Sequence, residues 1–310
     1  MQPRHTVRLG TRGSDLALTQ AQIVTDELRA QGLEVEREII RTAGDQSDAP
    51  TFGEIGPQGV FVREIEQALL EERIDVAVHS FKDLPTRSPD GLVVGAVPSR
   101  EDAADVLLIR NELLATEDRF MPIRHGARVG TSSARRHAWI RHFRRDLVVE
   151  PLRGNVPTRI ARLRAADYDA IVLAGAGVAR LRAAESLLDP LLSEITLFRL
   201  DPQRFVPAPS QGAIAVQCRQ ADGEILAVLA AIEDPSSRVA VAIERAALAH
   251  AQGGCDVAFG AYCTAAAQEF TLTTMLERSG QVQTATLTSR DPSTLGARGW
   301  TVLEREFSES

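Results

Sequence analysis

One residue among the 35 cationic side chains stands apart: Lys82 is the single lysine beside 34 arginines. It lies in DVAVHSFKDLP, residues 75–85, where an apolar strand ends on His79, Ser80, Lys82 and Asp83. An ammonium on a flexible stem is a different tool from a planar guanidinium. The adjacent carboxylate, Asp83, can act as a general acid or base, or steady a developing cation. The plainer alternative is a surface Lys82–Asp83 pair worth ~0–1 kcal/mol. His79 alternates with Ala77 and Phe81 and reads as a satisfied core histidine.

The arginines cluster. Residues 124–164 hold eleven of them against two acids, Asp146 and Glu150, inside a chain of net charge −7. Arg141, Arg144 and Arg145 read as a solvated helix face. Arg135, Arg136, Arg153 and Arg159 instead flank two turns, GTSSARR and LRGNVPTR, each between a strand and a helix start. Free N–H groups and the helix dipole favour anions there. Thr131, Ser133, Asn155 and Thr158 add donors, and arginines grip carboxylate or phosphate in bidentate fashion. Two such turns in tandem predict a ligand with several anionic groups. Arg12, in GTRGSD, is a third anion-site candidate.

Cys255 sits in QGGCD, where glycines leave a thiolate open to reaction. Cys218 lies in an apolar strand and reads as core; Cys263 has no motif. Neither a protease triad nor a zinc ligand pair surrounds Cys255. There is no Walker A motif, and GAGVAR is not a dinucleotide fingerprint.

The elements that must position these residues follow from periodicity. Strands are expected at 7–10, 33–40, 75–80, 92–97, 106–109, 128–130, 147–152, 170–174 and 213–218. Helices follow Ser14, Phe61, Ser133, Asn155 and Gly177. Alternating strands and helices predict mostly parallel α/β sheets with right-handed crossovers. Ligands then sit beyond the strands' carboxyl ends, where the candidate turns fall. Residues 44–59 read as a long loop. Pro202, Pro207 and Pro209 mark a linker. The last ~90 residues read as a small α+β domain, with helices at 224–232 and 236–251 and strands near 270–276 and 282–287. No internal repeat is visible.

At 310 residues, 44% apolar and 25% charged, the chain is ordinary globular material of two or three domains. Collagen-like, disordered and coiled-coil classes are excluded, and no apolar run nears the ~18 residues of a membrane span. MQPRHTVRLG lacks a signal-peptide core, so a cytoplasmic location is expected.

Together, TRGSDLALTQA, GVFVREIEQALL, DVAVHSFKDLP, VGTSSARR, LRGNVPTR, YDAIVLAGAG, SQGAIAVQCR and ERAALAHAQGGCD resemble the porphobilinogen deaminase (hydroxymethylbilane synthase) family. They occur in the family's order over most of Arg8–Asp256. The resemblance implies two similar α/β domains, like those of two-lobed periplasmic binding proteins, around a cleft, plus a small α+β domain. Expected bounds are 1–98 with 203–219, 99–202, and 220–310. It implies a dipyrromethane cofactor on a thioether to Cys255. Four porphobilinogen units would be added to it with loss of ammonia, and a linear tetrapyrrole then hydrolysed off.

By the same resemblance, Asp83 matches the catalytic carboxylate. Ser80, Lys82, Thr131, Ser133, Arg135, Arg136, Arg153 and Arg159 match positions that contact the cofactor and growing chain. Arg12, Ser14, Gln20 and Arg180 match positions near the incoming substrate, together with Arg153 and Arg159, and Gln211 lines the cleft. No metal is required. A monomer is expected, passing its product to a tetrapyrrole-cyclising enzyme. Glu54, Pro57 and Gln58 depart from the family, where a basic residue, Gly and Lys are common. The alternative is a non-enzymatic two-lobed binder of a small organic polyanion. Nucleic-acid binding is disfavoured by the net negative charge and the scarcity of lysine and aromatics.

Overall fold

The computed structural model describes residues 6–41, 62–115, 118–184, 188–251 and 258–309, with residues 308 and 309 described as backbone alone. The expected loop at 44–59, with Glu54, Pro57 and Gln58, lies outside the described residues, and so does Cys255. The chain divides into two compact units. One is Met1–Glu101 with Ala213–Val239, the other Asp102–Gly212 with Ala240–Ser310.

Unit 1 is built on β1 (Thr6–Thr11), β2 (Glu34–Ile39), β3 (Val76–Ser80), β4 (Leu92–Ala96) and β10 (Ile214–Arg219), in the order β2-β1-β3-β10-β4. β1 runs parallel to β2 and β3, while β10 runs against β3 and β4. Unit 2 carries β5 (Asp105–Arg110), β6 (Arg128–Gly130), β7 (Val148–Glu150), β8 (Ala170–Ala174) and β9 (Ile195–Arg199), in the order β7-β6-β8-β5-β9. Here β6 is parallel to β7 and β8, and β5 antiparallel to β8 and β9. Both sheets are therefore mixed. In each, the reversed strand is the one on which the chain arrives from the other unit, β5 or β10.

The two sheets share one plan, so an internal repeat exists that the sequence does not display. β1 and β6 both carry Arg-x-Gly-Thr, at Arg8–Thr11 and Arg128–Thr131. β3 and β8 both follow an apolar–Asp pair, Ile74–Asp75 and Tyr168–Asp169. Leu9 and Gly10 pair with Val76 and Ala77; Val129 and Gly130 pair with Ala170 and Ile171. The Asp75 carboxylate accepts Arg8 N–H at 2.9 Å, and that of Asp169 accepts Arg128 N–H at 2.7 Å. A Cβ on Gly10 would lie 2.4 Å from the Ile74 side chain, and one on Gly130 2.9 Å from Tyr168. Those glycines allow the close approach. After each central strand the first N–H makes the corresponding bond: Phe81 N–H donates to Ala213 O at 3.0 Å, and Gly175 N–H to Ala104 O at 2.9 Å.

Apolar faces fill both units. Val7, Leu9, Val24, Leu28, Val76, Val216 and Leu229 form one core; Leu107, Val129, Trp139, Ile140, Val172 and Phe205 form part of the other. Unit 2 also includes an antiparallel meander of β11 (Phe259–Ala266), β12 (Glu269–Arg278) and β13 (Gln281–Ser289), packed by the helix Leu295–Glu309. β9, β11 and that helix go beyond the sequence reading. Gly296 and Gly299 hide the helix by weakening its propensity. Among the described residues, no helix is long and apolar enough to cross a membrane.

The expected solvated face of Arg141, Arg144 and Arg145 is corrected at Arg144. Its side chain is 13% exposed. Arg144 caps the helix Ala134–Phe143 and donates to Met121 O at 2.9 Å, Ile123 O at 3.1 Å and both Asp146 oxygens at 2.7 Å. Those bonds close the loop that precedes β6. The Arg144 hydrogen bond draws the Asp146 pKa down from 3.8 to about 2. A lowered folded-state carboxylate pKa stabilises above the unfolded value, and the benefit is lost as pH falls through the folded value. Arg144→Ala is expected to cost about 1–3 kcal/mol of unfolding free energy at pH 7. It should also flatten the stability loss between about pH 4 and 2. Exposed Arg141→Ala should stay within about 0.5 kcal/mol. Urea titrations at several pH values check both.

Candidate active site

In unit 1 the parallel pairing of β1 with β3 brings their carboxyl ends to one edge. After β1 come Arg12 and Ser14; Ser14 caps the helix Asp15–Ala30 by accepting Ala17 N–H at 3.4 Å. Gln20, on that helix, is buried and accepts Ser80 Oγ–H at 3.0 Å. After Ser80 the 3₁₀ turn Phe81–Asp83 drops Phe81 into the core and leaves Lys82 and Asp83 half-buried. The predicted residues Arg12, Ser14, Gln20, Ser80, Lys82 and Asp83 thus share one edge of one sheet. His79 is buried as expected, yet among the described residues Nε2 has no hydrogen-bond partner. Burial, with a smaller contribution from Arg12, lowers its pKa to about 4 despite the Gln217 side chain.

In unit 2 the carboxyl ends of β6 and β7 coincide in the same way. Thr131 N–H donates to Glu150 O at 2.9 Å, and Thr131 Oγ1 accepts Ser133 N–H at 3.2 Å. Ser133 accepts Arg136 N–H as a helix cap. Ser132, which the sequence reading passed over, laces the two turns together: its Oγ–H donates to Leu152 O at 2.9 Å and its oxygen accepts Leu152 N–H at 3.0 Å. Beyond Leu152, Arg153 is exposed, Gly154 takes φ +111°, and Asn155 caps the next helix through Thr158 N–H at 2.9 Å. Arg159 Nε donates to Gly154 O at 2.7 Å. A non-glycine residue would be strained at Gly154.

Beneath this edge lies a group no motif announced. Asp105 opens β5 with no exposure. Its Oδ2 accepts Arg135 Nη2 at 2.8 Å; its Oδ1 accepts Arg136 Nη2 at 2.8 Å, Arg136 Nε at 3.1 Å and Gln211 Nε2 at 2.9 Å. Arg135 Nη1 also donates to Val206 O, Arg136 Nη1 to Val172 O, and Gln211 Nε2 to Ala103 O. Burial pushes the Asp105 carboxyl up, but Arg135 and Arg136 hold it well below the usual range. Both arginines are over nine-tenths buried. One carboxylate facing two guanidiniums leaves the cluster positive. Arg180, also buried, donates from Nη2 to Gly212 O at 2.7 Å.

The structure therefore gathers Thr131, Ser133, Arg135, Arg136, Arg153 and Arg159 along one edge of unit 2. Gln211 joins Arg135 and Arg136 through Asp105, and Arg180 is tied to the residue after Gln211. Cys218 is core, its thiol pushed up to about 11 by burial. Cys263 is buried within β11. The unit 2 edge thus offers cationic and hydrogen-bond-donating groups, and the unit 1 edge a half-buried carboxylate, Asp83, beside Lys82.

Residues 7–227 match the family model described as porphobilinogen deaminase, dipyromethane cofactor binding domain. A porphobilinogen deaminase of Brevibacillus brevis is 42% identical over 294 residues, covering 93% of this chain and 91% of its own. That of Bacillus subtilis is 39% identical over 298 residues, covering 94% and 91%. That of Mycobacterium leprae is 45% identical over 255 residues, covering 82% and 76%.

His79 gives a test of the unit 1 edge. Its folded pKa lies below the ordinary 6.5, so between 6.5 and about 4 the unfolded chain binds a proton that the folded chain does not. Stability is full above 6.5 and falls by up to about 1.4 kcal/mol per pH unit below it. His79→Leu should remove that slope. Equal urea-midpoint losses for both proteins between pH 7.5 and 5 would contradict the assignment.

Proposed function

Because the chain belongs to the porphobilinogen deaminase family, we propose that it is an enzyme of tetrapyrrole synthesis that joins porphobilinogen units head to tail. It is a transferase, a hydroxymethylbilane synthase: four units are added with loss of ammonia, and the linear tetrapyrrole is released by hydrolysis. One observation carries this reading, the likeness to deaminases along nearly the whole chain. Nothing in the site favours a non-enzymatic binder.

The residues present suit a dipyrromethane, whose side chains are carboxylates. The surplus positive charge around Asp105, the donors of Thr131 and Ser133, and Arg153 and Arg159 on the adjoining turn are what such a group needs. Ser80, Lys82 and Gln211 complete the holding set, and Cys255 supplies the thioether. When bound, the group supplies the pyrrole carbon onto which the next unit is joined. Arg12, Ser14, Gln20, Arg153, Arg159 and Arg180 receive the incoming porphobilinogen, neutralising its acetate and propionate.

Asp83 works on the substrate. As an acid it hands a proton to the departing amine, which leaves as ammonia. The resulting azafulvene is electron-poor. As a carboxylate, Asp83 then stabilises the positive ring nitrogen formed on coupling, and it takes up the proton that coupling releases. Its half-buried setting strengthens that interaction relative to bulk water. We further place the chain in the cytoplasm as a monomer, with the bounds 1–98 with 203–219, 99–202, and 220–310 for its three domains. Its product passes to a tetrapyrrole-cyclising enzyme.

Two measurements test the reading. Purified protein should exceed its sequence mass by one dipyrromethane, and Cys255→Ala should remove the excess; an adduct on Cys218 or Cys263 would overturn the attachment. Asp83→Asn keeps the shape without the charge or the proton. Cofactor-loaded Asp83→Asn should lose roughly 10²–10⁴ in single-turnover rate while remaining folded. A rate within about tenfold of wild type would remove Asp83 from the chemistry.

A further inference from the structure

The repeat allows unit 1 to serve as an internal control for unit 2. Asp105 opens β5 opposite Ala174, the last residue of β8. Ile214 opens β10 opposite Ser80, the last residue of β3. The positions correspond, and so do the helices beside them. Two and three residues beyond the cap stand Arg135 and Arg136 in unit 2, and Leu16 and Ala17 in unit 1. One plan is thus built twice, once with Ile, Leu and Ala at these places and once with Asp, Arg and Arg.

The charged version is an expensive way to fill a core. Desolvating three charges opposes their mutual attraction, and well-packed apolar residues are often no less stabilising. Unit 1 adopts that apolar solution. The cluster is also unbalanced, with two guanidiniums on one carboxylate, a surplus no core position calls for. Its geometry is fixed closely. Asp105 takes Arg136 through two nitrogens and Arg135 through one, and Gln211 Nε2 donates to both Asp105 and Ala103. Each guanidinium keeps N–H groups beyond those spent on Asp105 and the backbone.

We propose that Asp105 is a positioning residue of the anion site: it cancels one of two adjacent arginine charges to pin both guanidiniums, and leaves the other charge for a ligand carboxylate. This rests on the reading that the arginines hold the carboxylates of the cofactor and growing chain. Asp105 itself touches neither. Without it, Arg135 and Arg136 repel one another and lose their common anchor, so the ligand meets the same charges in no fixed place.

The test compares four full-length chains: wild type, Cys255→Ala, Asp105→Asn, and a triple variant, Asp105→Ile with Arg135→Leu and Arg136→Ala, which copies unit 1. Intact mass, thermal midpoint, and KM and kcat for porphobilinogen are measured on each. The triple variant is expected to fold, carry no adduct, and melt within about 5 °C of Cys255→Ala, the adduct-free reference. Asp105→Asn is expected to load poorly. Its loaded fraction should show kcat lowered ~10-fold or more with a smaller change in KM, because the bound chain is misplaced while the residues that receive porphobilinogen are untouched. A triple variant that melts far below adduct-free Cys255→Ala would show that the cluster serves the fold and overturn the proposal. So would Asp105→Asn that loads fully and turns over with wild-type kcat. If Asp105→Asn does not fold, the triple variant decides alone. Wild type without an adduct or ammonia release would instead remove the deaminase reading, and this inference with it.

Discussion

The register between parallel neighbours, β1 on β3 and β6 on β8, is the constraint on which both units depend. In each pair an aspartate at the start of the second strand takes the arginine N–H of the first. A glycine two residues later lets the strands' apolar side chains close up. With that register set, the strands end together, and the turns that follow them share an edge. Ligands of open α/β sheets bind beyond such ends. Every described candidate residue lies at that edge or, as with Arg180 and Gln211, is hydrogen-bonded into the segments that form it.

What differs between the edges is charge. Unit 1 presents Lys82 and Asp83 on a short 3₁₀ turn, with Ile214 at the position where unit 2 has Asp105. Unit 2 presents two arginine-flanked turns over a buried carboxylate. A proton-exchanging group suits the first setting, and the neutralisation of several carboxylates the second. A stepwise polymerisation of acidic monomers needs both. The restriction of the buried surplus charge to one unit is therefore the feature that best connects fold with chemistry.

Much of this was legible in the sequence for identifiable reasons. The strands at 128–130 and 170–174 carry the ends expected of them, because Gly130 and Gly175 punctuate their apolar runs. The caps Ser133 and Asn155 are short polar side chains directly before helical periods. The reversal of β5 and β10 was not legible, since periodicity gives no strand direction. The repeat was hidden because it survives in a few residues that set register, while the helix faces diverged. Asp105 was hidden by distance: it meets Arg135 across 30 residues, and a lone aspartate at a strand start looks like any surface acid. Arg144 misled because its alternation on a helix end resembled a solvated face, whereas the carbonyls of Met121 and Ile123 claim it. For the family assignment the motifs sufficed: the family model matches residues 7–227, and a relative is 42% identical over 93% of this chain.

The central claim is that this chain condenses porphobilinogen into a linear tetrapyrrole. The most direct measurement is stoichiometric: purified protein is given porphobilinogen alone, and ammonia and linear tetrapyrrole are quantified together over many turnovers. The account predicts four ammonia released for each tetrapyrrole, with no added metal or second enzyme. Binding of porphobilinogen without ammonia release, or ammonia release without the tetrapyrrole, would contradict it.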